Sequence, residues 1–165
     1  MVKRIFLFIV LLSVSVFLGC AETSTSDIAQ TYDKIADVGI ITHNHWTQED
    51  VNDGHIVWIG LINTRNEYIS DNIEGLTINL SIKGSNGSTK DLAVSLFDKT
   101  YYNVNLSDSD YPKGQGFTIL FNDLIGYEPM SFAGIWATVT LPDGRVVKNH
   151  DPYAFDVEPT IYGKL

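Results

Sequence analysis

The feature that most constrains the fold is a strict alternation of apolar and polar residues in the middle of the chain. Between Gly75 and Gly84 four aliphatic residues are separated by single polar residues, namely Leu76, Ile78, Leu80 and Ile82. Successive side chains of a β-strand point to opposite faces of the sheet, so this pattern predicts a strand with one buried and one solvated face. No stretch longer than about one turn shows the period of an amphipathic helix. The sequence therefore predicts an all-β chain.

Further strands are indicated on both sides of this one. His55–Thr64 is apolar on both faces, which predicts a central strand covered by a layer on each side. Asn86-Gly87 and Pro142-Asp143-Gly144 predict hairpin turns, because Asn and Gly tolerate positive φ and Pro fixes its own φ. The other inward faces are predicted from three alternating sets: Leu92, Val94 and Leu96; Phe117, Ile119 and Phe121; and Ala133, Ile135, Ala137, Val139 and Leu141.

About seven or eight short strands separated by polar turns predict an antiparallel β-sandwich for residues 32–165. Gly134–Val146, a strand with Trp and Thr followed by a Pro-Asp-Gly hairpin, resembles a late hairpin of immunoglobulin-like or fibronectin-like domains. The resemblance implies a sandwich of one of these two types. An eight-stranded barrel or a jelly roll would give a similar pattern. Trp136 lies mid-strand between apolar residues, so we expect its ring to pack in the core.

The N-terminus has the pattern of an export signal. Lys3 and Arg4 precede Ile5–Leu18, a stretch of 14 residues that is apolar apart from two serines. This length suits a signal peptide and is shorter than the about 20 residues that a membrane-spanning helix needs. Residues 1–19 are therefore predicted to be a signal peptide.

Phe17-Leu18-Gly19-Cys20 resembles the lipobox of prokaryotic lipoprotein precursors, although Phe17 departs from the usual leucine. The resemblance implies that Cys20 receives a diacylglyceryl thioether, and that the mature protein is exported and anchored by lipid outside the cytoplasm. Cys20 is the only cysteine, so an intrachain disulfide cannot form. Residues 20–31 are predicted to be the lipidated cysteine and a flexible tether, because they are rich in Ser, Thr and Ala without apolar periodicity.

The charge of the chain limits its partners. It has 11 basic and 20 acidic residues, and removal of the leader takes away two basic residues and no acidic ones, which changes the formal charge from −9 to −11. Nucleic acids require a basic surface, so they are not predicted as partners. Anionic lipid would also repel this chain, so a covalent anchor is the expected route to a membrane.

Three histidines are candidates for a metal site. His43 and His45 are two residues apart, and on a strand such residues share a face. His55 could join them from the next strand, since imidazoles are common ligands of zinc and copper. The alternative is that the pair is merely exposed on an edge strand. No cofactor is predicted.

Four tyrosines are candidates for a ligand surface: Tyr101, Tyr102, Tyr111 and Tyr127. They lie in or beside predicted loops, where an exposed ring can stack on a sugar or a peptide. The alternative is that they cap the ends of the core. No catalytic residue is predicted, because a Gly-x-Ser-x-Gly elbow is missing from the sequence and lipid would occupy the thiol of Cys20.

These patterns together favour a non-catalytic, lipid-anchored β-sandwich that binds an envelope protein partner or assembles at the cell envelope. The alternative is a metal- or small-ligand-binding lipoprotein that serves a membrane transporter, which His43 and His45 support.

The first prediction concerns the anchor. Mass spectrometry of the native protein is expected to show an acylated peptide that begins at Cys20, because Gly19 and the preceding apolar stretch form the cleavage signal. A Cys20→Ser variant should lose both the lipid and membrane association. An unmodified Cys20, or cleavage at another residue, would contradict the prediction.

Overall fold

The computed structural model describes residues 32–47, 52–85, 92, 94–106, 114–125 and 130–157. The chain divides into two compact units, residues 1–34 and residues 35–165, and the account below concerns the second. The predicted signal peptide, Cys20 and the tether lie outside the described residues. Within the described residues, no helix has the length and apolar character needed to span a bilayer.

The described part of the second unit forms seven strands in two antiparallel sheets. The strands are β1 (Ile35–Trp46), β2 (Asn52–Asn63), β3 (Ile73–Ser85), β4 (Val94–Leu106), β5 (Gln115–Leu120), β6 (Met130–Thr140) and β7 (Val146–Val157). One sheet has the order β1-β2-β5 and the other the order β4-β3-β6-β7. The predicted all-β sandwich is thereby confirmed, and two separate sheets distinguish it from a closed barrel.

The position of β4 sets this sandwich apart from one immunoglobulin arrangement. In constant-type immunoglobulin domains the fourth strand lies in the same sheet as the first, second and fifth. Here β4 pairs antiparallel with β3, and the four-stranded sheet contains the third, fourth, sixth and seventh strands. The strand order therefore differs from that of a constant-type immunoglobulin domain.

The core lies between the sheets and is largely aliphatic. The side chains predicted to face inwards from β3, from β6 and from the position just after β6 are at most 2% exposed: Leu76, Ile78, Leu80, Ile82, Ala133, Ile135, Ala137, Val139 and Leu141. Val57, Ile59 and Leu61 of β2 are buried to the same extent. Each fully buried aliphatic side chain contributes about 1.5–3 kcal/mol, so the alternation accounts for both the strands and their packing.

Strand β2 is central in its sheet, as predicted, but its outer face is not covered as fully as expected. Ile56, Trp58 and Ile62 on that face are only partly buried. The Trp58 ring instead lies across Gly116 of β5, where a Cβ would stand 3.2 Å from Trp58 Cε2. A neighbouring glycine thus allows the large ring to lie flat against its own sheet.

A bulge in β4 changes the predicted inward face. Ile82 pairs with Phe97 but Lys83 pairs with Ser95, so Leu96 is an extra residue. Leu96 and Phe97 are consequently both buried, while Val94 is 49% exposed. The prediction that Val94 is buried is wrong: Val94 pairs with Gly84 on the inner face, but it is the first residue of the edge strand β4 and stays half-exposed. The Asn86-Gly87 turn lies outside the described residues.

The hairpin between β6 and β7 forms as predicted. Gly144 has φ +87°, and its N–H donates to Leu141 O at 2.9 Å. Leu141 N in turn donates to Arg145 O at 2.8 Å, which closes the turn. The glycine supplies the left-handed backbone that this turn requires.

Hydrogen bonds link the two sheets at both edges. At one edge Asn149 Nδ2 of β7 donates to Val38 O of β1 at 2.6 Å, while Asn149 Oδ1 accepts from His150 N at 2.8 Å. At the other edge Ile125 N, beyond β5, donates to Leu96 O of β4 at 2.7 Å. These contacts occupy polar backbone groups of edge strands, which otherwise invite pairing with another chain.

The second prediction tests the inward face of the four-stranded sheet. Leu80→Ala is expected to lower the free energy of unfolding by about 2–5 kcal/mol, since it combines lost burial with a cavity. Val94→Ala should change it by less than about 0.5 kcal/mol, because that side chain is exposed. Denaturant unfolding measures both. A large decrease in the free energy of unfolding of the Val94 variant would contradict the exposure of that side chain.

Candidate functional site

An oriented histidine lies at the end of the β1–β2 hairpin. His45 Nδ1 is 2.6 Å from Asp53 Oδ1, and the two side chains are 32% and 37% exposed. An ionised carboxylate only accepts hydrogen bonds, so Nδ1 is the donor. In the neutral imidazole this tautomer leaves the lone pair on Nε2, the nitrogen that Asp53 does not contact.

A bulge in β2 brings Asp53 to His45. His45 pairs with Gly54, but the next residue, Trp46, pairs with Asn52, so Asp53 is an extra residue in β2. Asn52 is only 2% exposed, and its Oδ1 accepts from Gly54 N at 3.3 Å across the bulge. Bulges of this kind redirect side chains, and here the buried amide stabilises the redirected loop of backbone.

The structure separates the three candidate histidines. His43 and His45 share the outer face of β1, where His43 is exposed and lies opposite Ile56. His55 pairs with Asn44 and is 4% exposed on the inner face, where its ring packs edge-on against Phe121 at 5.4 Å. Thus His55 does not join the other two. Among the described residues, no group of three or more His, Cys, Asp or Glu side chains is arranged to hold a metal ion.

The two described tyrosines among the candidates have different surroundings. The Tyr101 ring is partly buried and packs on Phe117 of β5, with a centroid distance of 4.5 Å. Burial, and then the charge of Asp123, raises the pKa of Tyr101 above its usual value. Tyr101 therefore closes one end of the core. Tyr102 is 76% exposed, and Tyr111 and Tyr127 lie outside the described residues.

Trp136 lies on the outer face of the four-stranded sheet, so its predicted place in the core is wrong. Its ring is partly buried and stacks on His150 of β7, with 5.9 Å between centroids and 10° between planes. From β3, on the other side of β6, Lys83 Nζ lies 5.0 Å from the ring centroid. The ring is therefore held by contacts from both neighbouring strands.

Small residues and cross-strand hydrogen bonds shape the surface around this ring. A Cβ on Gly134 would lie 3.0 Å from Trp136 Cζ3, so the glycine leaves room for the indole. Towards β4, Asn79 Nδ2 donates to Asp98 Oδ1 at 2.8 Å and to Thr100 Oγ1 at 3.1 Å. We name this surface the Trp136 face. It consists of Asn79, Lys83, Asp98, Thr100, Tyr102, Trp136, Thr138, Lys148 and His150.

The His45–Asp53 contact and the Trp136 face each contain a residue whose position the sequence analysis did not predict. Trp136 alternates with buried residues and shares its face with Thr138 and Thr140, which are polar, so the period of two already pointed outwards. Asp53 gives no comparable signal, because Asp-Gly in Asn52-Asp53-Gly54 suits an ordinary hairpin turn as well as the observed bulge. Comparison with protein-family models, curated proteins and solved structures finds no match to this chain.

The third prediction concerns the energetic role of Trp136. Trp136→Ala is expected to cost about 1–2 kcal/mol, which is the sum of an aromatic stack and a cation–π contact on a partly exposed surface. A tryptophan fully buried in a core would cost about 3–5 kcal/mol. Denaturant unfolding distinguishes the two values. The neighbouring core variant Ile135→Ala serves as the reference and should lose about 2–5 kcal/mol.

Proposed function

We propose that this chain is an exported lipoprotein, anchored through Cys20 to a membrane and facing away from the cytoplasm. Its β-sandwich acts as a non-catalytic module that binds an envelope protein through the Trp136 face. The anchor is supported by the sequence alone, from the basic start, the apolar stretch and the sole cysteine. The tether of residues 20–31 would hold the module away from the bilayer.

The observation that carries the binding role is the exposure of two aromatic rings, Tyr102 and Trp136, at the surface of the four-stranded sheet. Tyr102 is 76% exposed, although a tyrosine ring ordinarily gains stability by being buried. Trp136 is partly exposed and is already fixed between Lys83 and His150, so little side-chain entropy is lost when a partner covers it. Tyrosine and tryptophan are the residues most enriched at energetically important positions of protein interfaces.

Charge on the Trp136 face supports a protein partner. Lys83 and Lys148 lie on this face, with Asp98 hydrogen-bonded to Asn79 beside them. The face is thus less acidic than the chain as a whole, whose formal charge is −9. A partner with a few acidic groups would meet attraction here and repulsion elsewhere, which favours one docking orientation.

Two described groups with a shifted pKa, Tyr101 and Asp143, both serve local structure, which agrees with a non-catalytic module. The pKa of Tyr101 is raised chiefly by burial, where its ring packs on Phe117. The pKa of Asp143 is lowered because its carboxylate accepts hydrogen bonds from Arg145 N and Nε in the β6–β7 turn. Shifts at catalytic groups instead arise from burial beside a reacting group in a cleft.

The fourth prediction tests the face in the native membrane. A photo-crosslinking amino acid at Tyr102 is expected to capture a discrete envelope protein, because that position is the most exposed ring of the Trp136 face. The same amino acid at Thr118, an exposed position in β5 of the other sheet, should not capture it. Immunoblotting and mass spectrometry identify the adducts.

Two further variants decide the result. Trp136→Ala should weaken capture from position 102 while the anchor remains intact. Cys20→Ser should reduce capture by releasing the module from the membrane. Equal capture from positions 102 and 118, or none from 102, would refute the role of the Trp136 face without affecting the assignment of the anchor.

A further inference from the structure

We propose that His43 and His45 chelate a transition-metal ion on the outer face of β1, and that Asp53 is the positioning residue for His45. The site binds Cu²⁺ most tightly and Zn²⁺ less tightly. It is separate from the Trp136 face, which lies on the other sheet, and it does not depend on the proposed function.

The backbone of β1 sets the spacing of the two imidazoles. Residues two apart on a strand point to the same face, with Cα atoms about 6.5–7 Å apart. Their cross-strand partners are Ile56 for His43 and Gly54 for His45. Gly54 has no side chain to cover His45, and the backbone of Ile119 and Leu120 in β5 lies close to where its Cβ would stand. Two imidazoles at this spacing can lean towards one ion, with metal–nitrogen distances of about 2.0–2.1 Å.

The hydrogen bond between His45 and Asp53 has the form found behind metal-bound histidines. Such histidines donate one ring N–H to a carboxylate or carbonyl, which fixes the tautomer and ring orientation and makes the other nitrogen more basic. At 2.6 Å, Asp53 Oδ1 contacts Nδ1, which directs the lone pair of the neutral ring to Nε2. A neutral His45 ring held in this way presents Nε2 to a metal ion.

The bulge gives a reason to regard this contact as more than a surface ion pair. In a regular hairpin Trp46 would pair with Asp53, and the carboxylate of Asp53 would point to the inner face of the sheet. Asp53 is instead the extra residue of a bulge that the buried Asn52 side chain stabilises, so it lies on the outer face beside His45. An exposed ion pair contributes only about 0–1 kcal/mol, so stability gains little from this arrangement.

The donor atoms select the class of metal. Two neutral imidazole nitrogens suit Cu²⁺, Zn²⁺ and Ni²⁺, whereas Ca²⁺ and Mg²⁺ require oxygen ligands. For a given set of nitrogen donors, Cu²⁺ binds more tightly than the other divalent ions of its row. His43 is exposed and the His45 side chain is 32% exposed, so water has access to the remaining coordination positions.

The fifth prediction uses isothermal titration of the purified full-length protein in detergent with CuCl₂ and, separately, ZnCl₂. His43→Ala and His45→Ala should each weaken Cu²⁺ binding by at least about tenfold, because each removes one arm of the chelate. Asp53→Asn should weaken it about 10–100-fold. His150→Ala, which removes an exposed histidine from the other sheet, should leave the affinity unchanged.

Electron paramagnetic resonance separates a positioning role of Asp53 from a merely structural one. Bound Cu²⁺ should show coupling to two imidazole nitrogens in the wild type and in Asp53→Asn, and to one in either single histidine variant. Far-UV circular dichroism without metal should show the β-sheet spectrum of the wild type in every variant, which verifies that each variant folds. Cu²⁺ affinity that is unchanged in Asp53→Asn refutes the positioning role. Unchanged affinity in His43→Ala, or an equal loss in His150→Ala, refutes the site.

Discussion

The burial of one aliphatic face from each sheet is the constraint on which the rest of the molecule depends. β3 and β6 pair side by side at the centre of the four-stranded sheet, and their inward residues from Leu76 to Ile82 and from Ala133 to Val139 are almost completely buried. β2 supplies the opposing surface from the centre of the other sheet. Because each strand alternates, fixing these inward faces also fixes every residue that faces out. The surfaces available for function follow from the core.

The outer surfaces consist of the side chains that the alternation directs away from the core. Trp136 points outwards because Ile135 and Ala137 beside it point inwards, and its ring finds support from Lys83 and His150 on the flanking strands. A large ring that is fixed but not fully covered provides contact area at low entropic cost. For this reason we propose a sheet face as the binding surface, rather than the predicted loops in or beside which the candidate tyrosines lie.

Two of the bulges matter most for the surfaces of the sandwich. In β4 the extra Leu96 leaves two consecutive side chains buried, and Leu96 O accepts the hydrogen bond from Ile125 that links the sheets. In β2 the extra Asp53 reaches His45 across the hairpin. One bulge therefore serves the joining of the sandwich, and the other brings a carboxylate to a histidine.

The sequence by itself determined the all-β class, the strands of the core and the β6–β7 turn, because alternation and turn chemistry are local and each strand carries its own pattern. It also carries the whole case for the lipid at Cys20. Only the tertiary structure decided that β3 pairs with β6, that Trp136 faces outwards, and that Asp53 joins His45 while His55 turns away. Sheet partners and bulges depend on contacts between residues distant in the chain, and a single extra residue reverses the face of those beyond it.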